Sequence, residues 1–211
     1  MRVLIAVPTF ENITPDTFKA LWDLEKPCEC SFEFVRGYDC ATARNRIAQM
    51  SLDGKYDRLL MVDNDVTPPR DALVNLLSHD VDVVSGFYLC RNKDNTPGQR
   101  TCVFRLNDRF GRAYFNYTKD SEFVVDELRE LKESGTHLVK VHGCGMGCTL
   151  VKPSVFNRIE YPWFDWVSYK NREHLSEDLY FCEGLRKAGI PQYVDTRVSC
   201  GHLFRRIERA E

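Results

Sequence analysis

The chain has 211 residues, of which 43% are hydrophobic and 28% charged, and its 29 basic and 31 acidic side chains leave a formal net charge of −2. This size and apolar content predict one globular domain with its own core, and they exclude a disordered chain or a disulfide-stapled miniprotein. The near-neutral charge argues against a nucleic-acid-binding protein that depends on a broad basic surface.

The cysteines and the apolar runs indicate in which cellular compartment the protein is found. The nine cysteines are an odd number and cannot all pair, so we interpret them as mostly buried thiols in a reducing environment. The apolar opening of the chain ends at Pro8, too early for a signal peptide, and no run approaches the roughly 18 apolar residues that a membrane-spanning helix needs. We therefore expect a cytoplasmic protein without a transmembrane segment.

Strand and helix patterns alternate through the first 86 residues. Val3 to Val7 is a short branched run that predicts a strand buried on both faces, as in a parallel sheet. Thr14 suits the N-cap of a helix that continues to a break at Pro27. The other elements predicted here are strands at 32–36, 58–62 and 81–86, and helices at 41–52 and from Pro68 through Leu77.

This alternation predicts an α/β fold in which helices flank a mostly parallel central sheet. On the first helix, four apolar side chains are expected to face the core: Phe18, Leu21, Trp22 and Leu24.

The pattern is weaker from Leu89 to Gly135, where we predict a hairpin followed by a helix. The elements expected from there onward are hairpin strands at 101–106 and 113–117, helices near 126–132, at 153–158 and at 176–188, strands at 138–141 and 148–151, and a last strand or loop at 198–202.

Asp63 and Asp65 directly follow the apolar strand at 58–62. The carboxyl end of a parallel strand is where open α/β sheets bind ligands. Carboxylate oxygens there suit Mg²⁺ or Mn²⁺, and these ions bind diphosphates. An acidic turn that favours the start of the next helix is the structural alternative.

Glu177 and Asp178 follow Ser176 at the start of a predicted helix. One of the two carboxylates suits a general base that takes a proton from an acceptor hydroxyl. A serine cap followed by two acids is also ordinary chemistry for the first turn of a helix.

A glycine-rich segment runs from His142 to Cys148 and lets the backbone approach a ligand closely or turn sharply. It is neither a phosphate-binding P-loop nor a Rossmann fingerprint. Zinc at this segment is disfavoured because a second pair of ligands is missing. Further candidates are His202 for a metal, Arg44 and Arg46 for phosphates, and the aromatic side chains from Trp163 to Tyr169 for a sugar, each with core packing or surface pairing as the alternative.

In this order, the motifs resemble those of the GT-A glycosyltransferases, in particular the family 2-like group. The segments that carry the resemblance are 3–9, 43–45, 60–66, 143–151, 176–182 and 189–202. The resemblance implies a single GT-A domain over 1–211, with a nucleotide-binding half at 1–86 and an acceptor and catalytic half at 87–211. It also implies transfer of a sugar from a UDP- or GDP-sugar, with Mn²⁺ or Mg²⁺, to a hydroxyl of a glycan, lipid, protein or modified nucleotide.

Site roles follow from the same resemblance. Asp178 matches the catalytic base and Glu177 would orient the acceptor. The implied metal ligands are Asp63, Asp65 and His202, and the implied substrate-binding residues are Pro8, Thr9, Arg44, Asp63, Gly145 and Trp163.

Three alternatives stay open at this point. The segments 43–45 and 78–84 also resemble retaining mannosyltransferases of the yeast Golgi, which leaves the stereochemistry undecided. The run from Asp63 to Thr67 also fits the nucleophile motif of haloacid dehalogenase-like phosphohydrolases, in which Asp63 would attack the phosphate. A non-catalytic binder of nucleotide sugars would use the same scaffold without turnover.

Overall fold

The computed structural model describes residues 1–91, 97–105, 122–168 and 174–203. Its helices are α1 (Pro15–Asp23), α2 (Cys40–Asp53), α3 (Ala72–Leu77), α4 (Val125–Glu133) and α5 (Glu177–Lys187), with a 3₁₀ helix at Pro153–Asn157. Its strands are β1 (Arg2–Thr9), β2 (Glu29–Arg36), β3 (Arg58–Val62), β4 (Val66–Thr67), β5 (Val83–Phe87), β6 (Leu89–Arg91), β7 (Pro97–Phe104), β8 (Glu122–Val124), β9 (Leu138–Val141), β10 (Gly143–Cys144), β11 (Cys148–Val151), β12 (Val167–Ser168), β13 (His174–Leu175), β14 (Gln192–Ser199) and β15 (Gly201–His202). The predicted strand at 113–117 lies outside the described residues.

Seven strands form the central sheet in the order β2-β1-β3-β11-β5-β14-β9. Five of them run in one direction, and β11 and β9 run against these five. The mostly parallel α/β sheet predicted from the sequence is therefore confirmed. Because the carboxyl ends of parallel strands lie at one edge, the segments after β1, β3, β5 and β14 meet there.

Helices cover both faces of this sheet. The side chains of β1 therefore alternate between two cores, one on each face. Val3, Ile5 and Val7 belong to a core that includes side chains of α1, α3 and α4. Leu4 and Ala6 belong to a second core with α2 and α5. All five side chains are fully buried, as the apolar run of β1 predicts.

A short antiparallel pair lies at the carboxyl edge, outside the central sheet. In it β4 pairs with β15, which places Val66 opposite His202 and Thr67 opposite Gly201. α3 begins at Ala72 and not at Pro68 as predicted, because the residues between them form a turn in which the Ala72 amide bonds the Pro69 carbonyl at 2.9 Å. The β4–β15 pair brings the last described segment of the chain back to the turn that follows β3.

The inner face of α1 differs from the prediction. Leu21 and Leu24 are buried as expected, but Phe18 is 49% and Trp22 is 73% exposed. Thr17 is fully buried in their place, and its hydroxyl hydrogen-bonds the hydroxyl of Thr14, the residue that caps the helix, at 2.8 Å. This hydrogen bond satisfies the buried hydroxyl. The inner face of α1 thus runs through Thr17, Leu21 and Leu24, which leaves the two aromatic side chains exposed.

All nine cysteines are free thiols, five of them buried and four partly buried. In the described part of the chain, no helix is both long and apolar enough to cross a membrane.

Candidate active site

Arg44 lies at the centre of the site, and its side chain is only 1% exposed. It is placed by α2, which begins after Asp39, whose side chain accepts a hydrogen bond from the Thr42 amide at 3.1 Å. The guanidinium donates from Nη2 to Asp63 Oδ1 at 2.7 Å, and from Nη1 to the carboxylates of Glu177 and Asp178. We call these four residues the Arg44 cluster.

The Arg44 cluster places three carboxylates around one guanidinium. With every group ionised, its charge is one positive against three negative. Burial raises the pKa of Asp178 to about 7, Arg44 opposes this rise, and the carboxylates of Glu177 and Asp63 add to it. A carboxyl group with this pKa can accept and release a proton near neutral pH.

Asp65 and His202 lie side by side as a result of the β4–β15 pairing. The Leu203 amide donates to the Asp65 carbonyl at 2.9 Å. His202 Nδ1 lies 2.9 Å from the Leu89 carbonyl oxygen, which can only accept, so Nδ1 carries the proton. In the neutral ring Nε2 then holds the lone pair, and it lies 3.6 Å from Asp65 Oδ2.

This carboxylate and imidazole pair fits Mn²⁺, because both donors suit that ion and the Leu89 carbonyl fixes the ring in the tautomer that binds metal. The third predicted ligand is turned elsewhere, since Asp63 bonds Arg44. Over the described residues, no three His, Cys, Asp or Glu side chains are grouped closely enough to hold a metal. The chain itself thus brings together two of the three predicted ligands.

A pocket of about 280 Å³ opens beside Asp65, at the end of β1. The Thr9 hydroxyl lies next to it, donating to the Asn12 carbonyl at 2.6 Å and accepting from Asn64 Nδ2 at 3.3 Å. Pro8 precedes Thr9 and is buried in the strand. The pocket is lined by Phe10, Glu11, Asn12, Thr14, Asn64, Asp65 and Leu203.

Gly145 and Gly147 are required by Tyr88, whose ring fills the space above them. A Cβ on Gly145 would lie 2.2 Å from Tyr88 Oη, and one on Gly147 would lie 2.8 Å from the Tyr88 ring. The Gly147 amide donates to Tyr88 Oη at 3.2 Å, and the Tyr88 ring packs edge-on against His202 with 5.0 Å between centroids. The Met146 amide hydrogen-bonds Asp178. The segment 143–147 thus connects the Arg44 cluster, through Asp178, with His202, through Tyr88. A contact between Gly145 and substrate stays a prediction.

Trp163 is 7% exposed, and its indole Nε1 donates to the Phe156 carbonyl at 2.9 Å. Its contacts are those of core packing, and a contact with a sugar stays a prediction. Asn45 holds the loop around it, because Asn45 Oδ1 accepts from the amides of Trp163 and Phe164 at 3.0 and 3.2 Å. Arg46, the other arginine considered for phosphates, stacks its guanidinium 4.5 Å from the centre of the Tyr38 ring.

The structure therefore divides the predicted residues into groups. Asp63, Glu177 and Asp178 meet at Arg44, and Asp65 meets His202. Sequence reasoning gave no role to Asn45 or Tyr88. Asn45 belongs to the segment 43–45 that carries the family resemblance and was detectable there, whereas no local pattern marks Tyr88.

No protein-family model matches the sequence, and no curated protein matches it. Among solved structures the chain is similar to A197 from STIV, with 20% identity, coverage of 98% of this chain and 87% of that chain, and a TM-score of 0.61. It is also similar to GalNAc-T7, solved with UDP, GalNAc and Mn²⁺, with 11% identity and a TM-score of 0.58. That match covers 96% of this chain and 44% of GalNAc-T7, so the chain spans less than half of that protein.

At these identities the likeness shows the fold. The chain has the mixed α/β fold, with a seven-stranded central sheet between helices, that GT-A glycosyltransferases such as GalNAc-T7 share. The GT-A fold predicted from the sequence motifs is confirmed.

Proposed function

We propose that this protein is a metal-dependent glycosyltransferase that moves a sugar from a UDP- or GDP-sugar to an acceptor hydroxyl. The observation that supports the proposal is that the Asp65–His202 pair and the Arg44 cluster both lie at the carboxyl edge of the sheet, with Asp63 and Asp65 in the same turn after β3. The first suits the diphosphate side of such a reaction and the second suits the acceptor side. GalNAc-T7, which has the same fold, binds UDP and Mn²⁺.

The donor side consists of residues that follow β1 and β3. Asp65 and His202 would hold Mn²⁺ or Mg²⁺, which when bound neutralises the charge of the diphosphate leaving group. The pocket beside Asp65 accommodates the nucleoside. Pro8 and Thr9 end β1 next to it, and the Thr9 hydroxyl bonds the lining residues Asn12 and Asn64. In this proposal residues 1–86 bind the nucleotide and residues 87–211 supply the catalytic and acceptor half.

The acceptor side consists of α5 and the segment packed on it. Asp178 accepts the proton of the acceptor hydroxyl, a task for which a pKa of about 7 is suited. Arg44 and the Met146 amide hold its carboxylate in place, and Glu177 shares the same guanidinium. Gly145 and Trp163 are the further residues proposed to meet substrate.

Thermal unfolding with a panel of nucleoside diphosphates and their sugars, with and without Mn²⁺, tests the donor site. A ligand that binds only the folded state stabilises it by about 2.7 kcal/mol at a hundredfold excess over its Kd. We expect one nucleotide to raise the melting temperature only when Mn²⁺ is present. The absence of a shift with every nucleotide would contradict the proposal.

Variants separate the two sides of the site. Asp65→Ala and His202→Ala are expected to lose the Mn²⁺-dependent shift. Asp178→Asn is expected to keep the shift and lose sugar transfer. Asp126→Asn removes an exposed carboxylate of α4 and serves as the matched control, with both properties retained.

The same assays distinguish the two alternatives. Release of phosphate from an aryl phosphate, abolished by Asp63→Asn, would show a haloacid dehalogenase-like phosphohydrolase. A Mn²⁺-dependent shift without transfer to any acceptor and without donor hydrolysis would show a non-catalytic binder.

A further inference from the structure

Four aromatic side chains form an exposed patch on α1 and β2. Phe18 and Trp22 of α1 are 49% and 73% exposed, and Phe32 and Phe34 of β2 are each 38% exposed. We call these four residues the aromatic patch. Together with Leu21 and Lys26 they line a groove of about 420 Å³. A contiguous exposed apolar surface of this kind is a candidate interaction site.

The patch borders an open edge of the central sheet. β2 is the terminal strand, and all eight of its residues pair with β1 in one continuous register without a bulge. Its other edge pairs with no strand in the part of the chain that the structure describes. Edge strands are usually protected by proline, by charged side chains, above all lysine, or by a bulge. β2 has no proline, lysine or bulge, and its charged residues are Glu29, Glu33 and Arg36, so its outer backbone is available for pairing.

We propose that two copies of this chain associate through antiparallel pairing of their β2 strands, with Phe32 at the twofold axis and the two aromatic patches in contact. Side chains that face each other across such a pair lie on the same side of the sheet. With Phe32 opposite Phe32, Cys30 lies opposite Phe34 of the second copy. Glu33 then faces Ser31 of the second copy, a hydroxyl group, and the two Glu33 carboxylates are not placed opposite each other.

The exposed area suits this occupant. Aromatic side chains of ~150–250 Å² each, at the exposed fractions above, give about 400 Å² per copy. A stable interface needs roughly 800 Å² per partner, and the paired backbone and the remaining side chains of β2 add to the aromatic area. An anionic membrane is a poorer match, because the same two elements carry more acidic than basic side chains: Asp16, Asp23, Glu29 and Glu33 against Lys19 and Arg36.

The mass in solution, measured by light scattering over a range of protein concentrations, tests the association. We expect the wild type to reach twice the monomer mass, and Trp22→Ser with Phe34→Ser to remain monomeric at the same concentrations, with a Kd at least tenfold weaker. Trp166→Ser is the matched control, since Trp166 is 57% exposed outside the patch, and it should dimerise as the wild type does. Thermal unfolding checks the fold of each variant, and Trp22→Ser alone replaces the double variant if that one does not fold.

Cross-linking tests the register without altering the patch. In a background with Cys28→Ser and Cys30→Ser, the variants Ser31→Cys and Glu33→Cys are oxidised separately and as a mixture. Opposed positions have Cβ atoms about 4.5–5.5 Å apart, within reach of a disulfide after small adjustment, whereas identical diagonal positions are about 7–8 Å apart. We expect a cross-linked heterodimer in the mixture only. A wild type that is monomeric at every concentration, or a dimer without this cross-link, overturns the proposal.

Discussion

Asp178→Asn is expected to stabilise the protein at neutral and alkaline pH while it abolishes transfer. The Asp178 carboxylate is held against Arg44 together with Glu177 and Asp63. Three acids compete for one guanidinium, and burial is the largest of the effects that raise the pKa of Asp178. An asparagine has nearly the same shape and can still accept from Arg44, but it carries no charge.

The size of the effect follows from the pKa of Asp178, which is raised from 3.8 to about 7. A carboxyl group whose folded pKa lies above its unfolded pKa binds more protons in the folded state, so its contribution to stability falls as pH rises. Below about pH 4 both states are protonated and the group contributes nothing. The penalty then grows by about 1.36 kcal/mol per pH unit and reaches ~4 kcal/mol above pH 7.

Urea unfolding of the wild type and of Asp178→Asn at pH values from about 4 to 8 measures this penalty. The free energy of unfolding of the variant minus that of the wild type should rise across this range by an amount on the order of 4 kcal/mol, because the titration of the groups that do not interact with Asp178 cancels in the difference. Asp126→Asn, on an exposed carboxylate, should give a difference near zero at every pH. A difference for Asp178→Asn that does not change with pH would refute the reasoning.

Three further changes test the packing around the site. Asn45→Ala leaves the amides of Trp163 and Phe164 without their acceptor, which should cost about 1–3 kcal/mol in urea unfolding and lower the melting temperature. Gly145→Ala places a Cβ against the Tyr88 hydroxyl and should lower the melting temperature, with part of the loss recovered when Tyr88→Phe removes that hydroxyl; a loss that Tyr88→Phe does not reduce would place the clash elsewhere. Gly184→Ala has only Ile159 Cδ1 nearby, at 3.9 Å, and should raise the stability of α5 by up to about 1 kcal/mol, the opposite sign from Gly145→Ala.

Local chemistry explains which elements were predictable. β3, β9 and β11 have the bounds predicted from their apolar runs, and the Thr14 cap marks the start of α1. These features depend on neighbouring residues, and the sequence displays them directly. The prediction for the inner face of α1 was wrong, because helical periodicity does not reveal that Thr17 is buried and bonds Thr14.

The site shows the same division. Asp63 and Asp178 were found because each sits at the end of a recognisable element. Their convergence on a buried Arg44 was not predictable, because the contacts span 19 and 134 residues of sequence. The need for glycine at position 145 was equally hidden, because the side chain that excludes a Cβ there belongs to Tyr88, which is distant in the sequence.

The pairing of β15 with β4 has a consequence for the kinetics of the site. Two residue pairs connect these strands, and the bond from His202 Nδ1 to the Leu89 carbonyl adds to them. With so few contacts, we expect β15 to open at a free energy below that of global unfolding. Opening separates His202 from Asp65 while the seven-stranded sheet stays folded. Hydrogen exchange at the Leu203 amide, which is bonded to the Asp65 carbonyl, reports this event directly. In the proposed enzyme, product release thus has a route that requires detachment of a single short strand, and its rate sets an upper limit on turnover by that route.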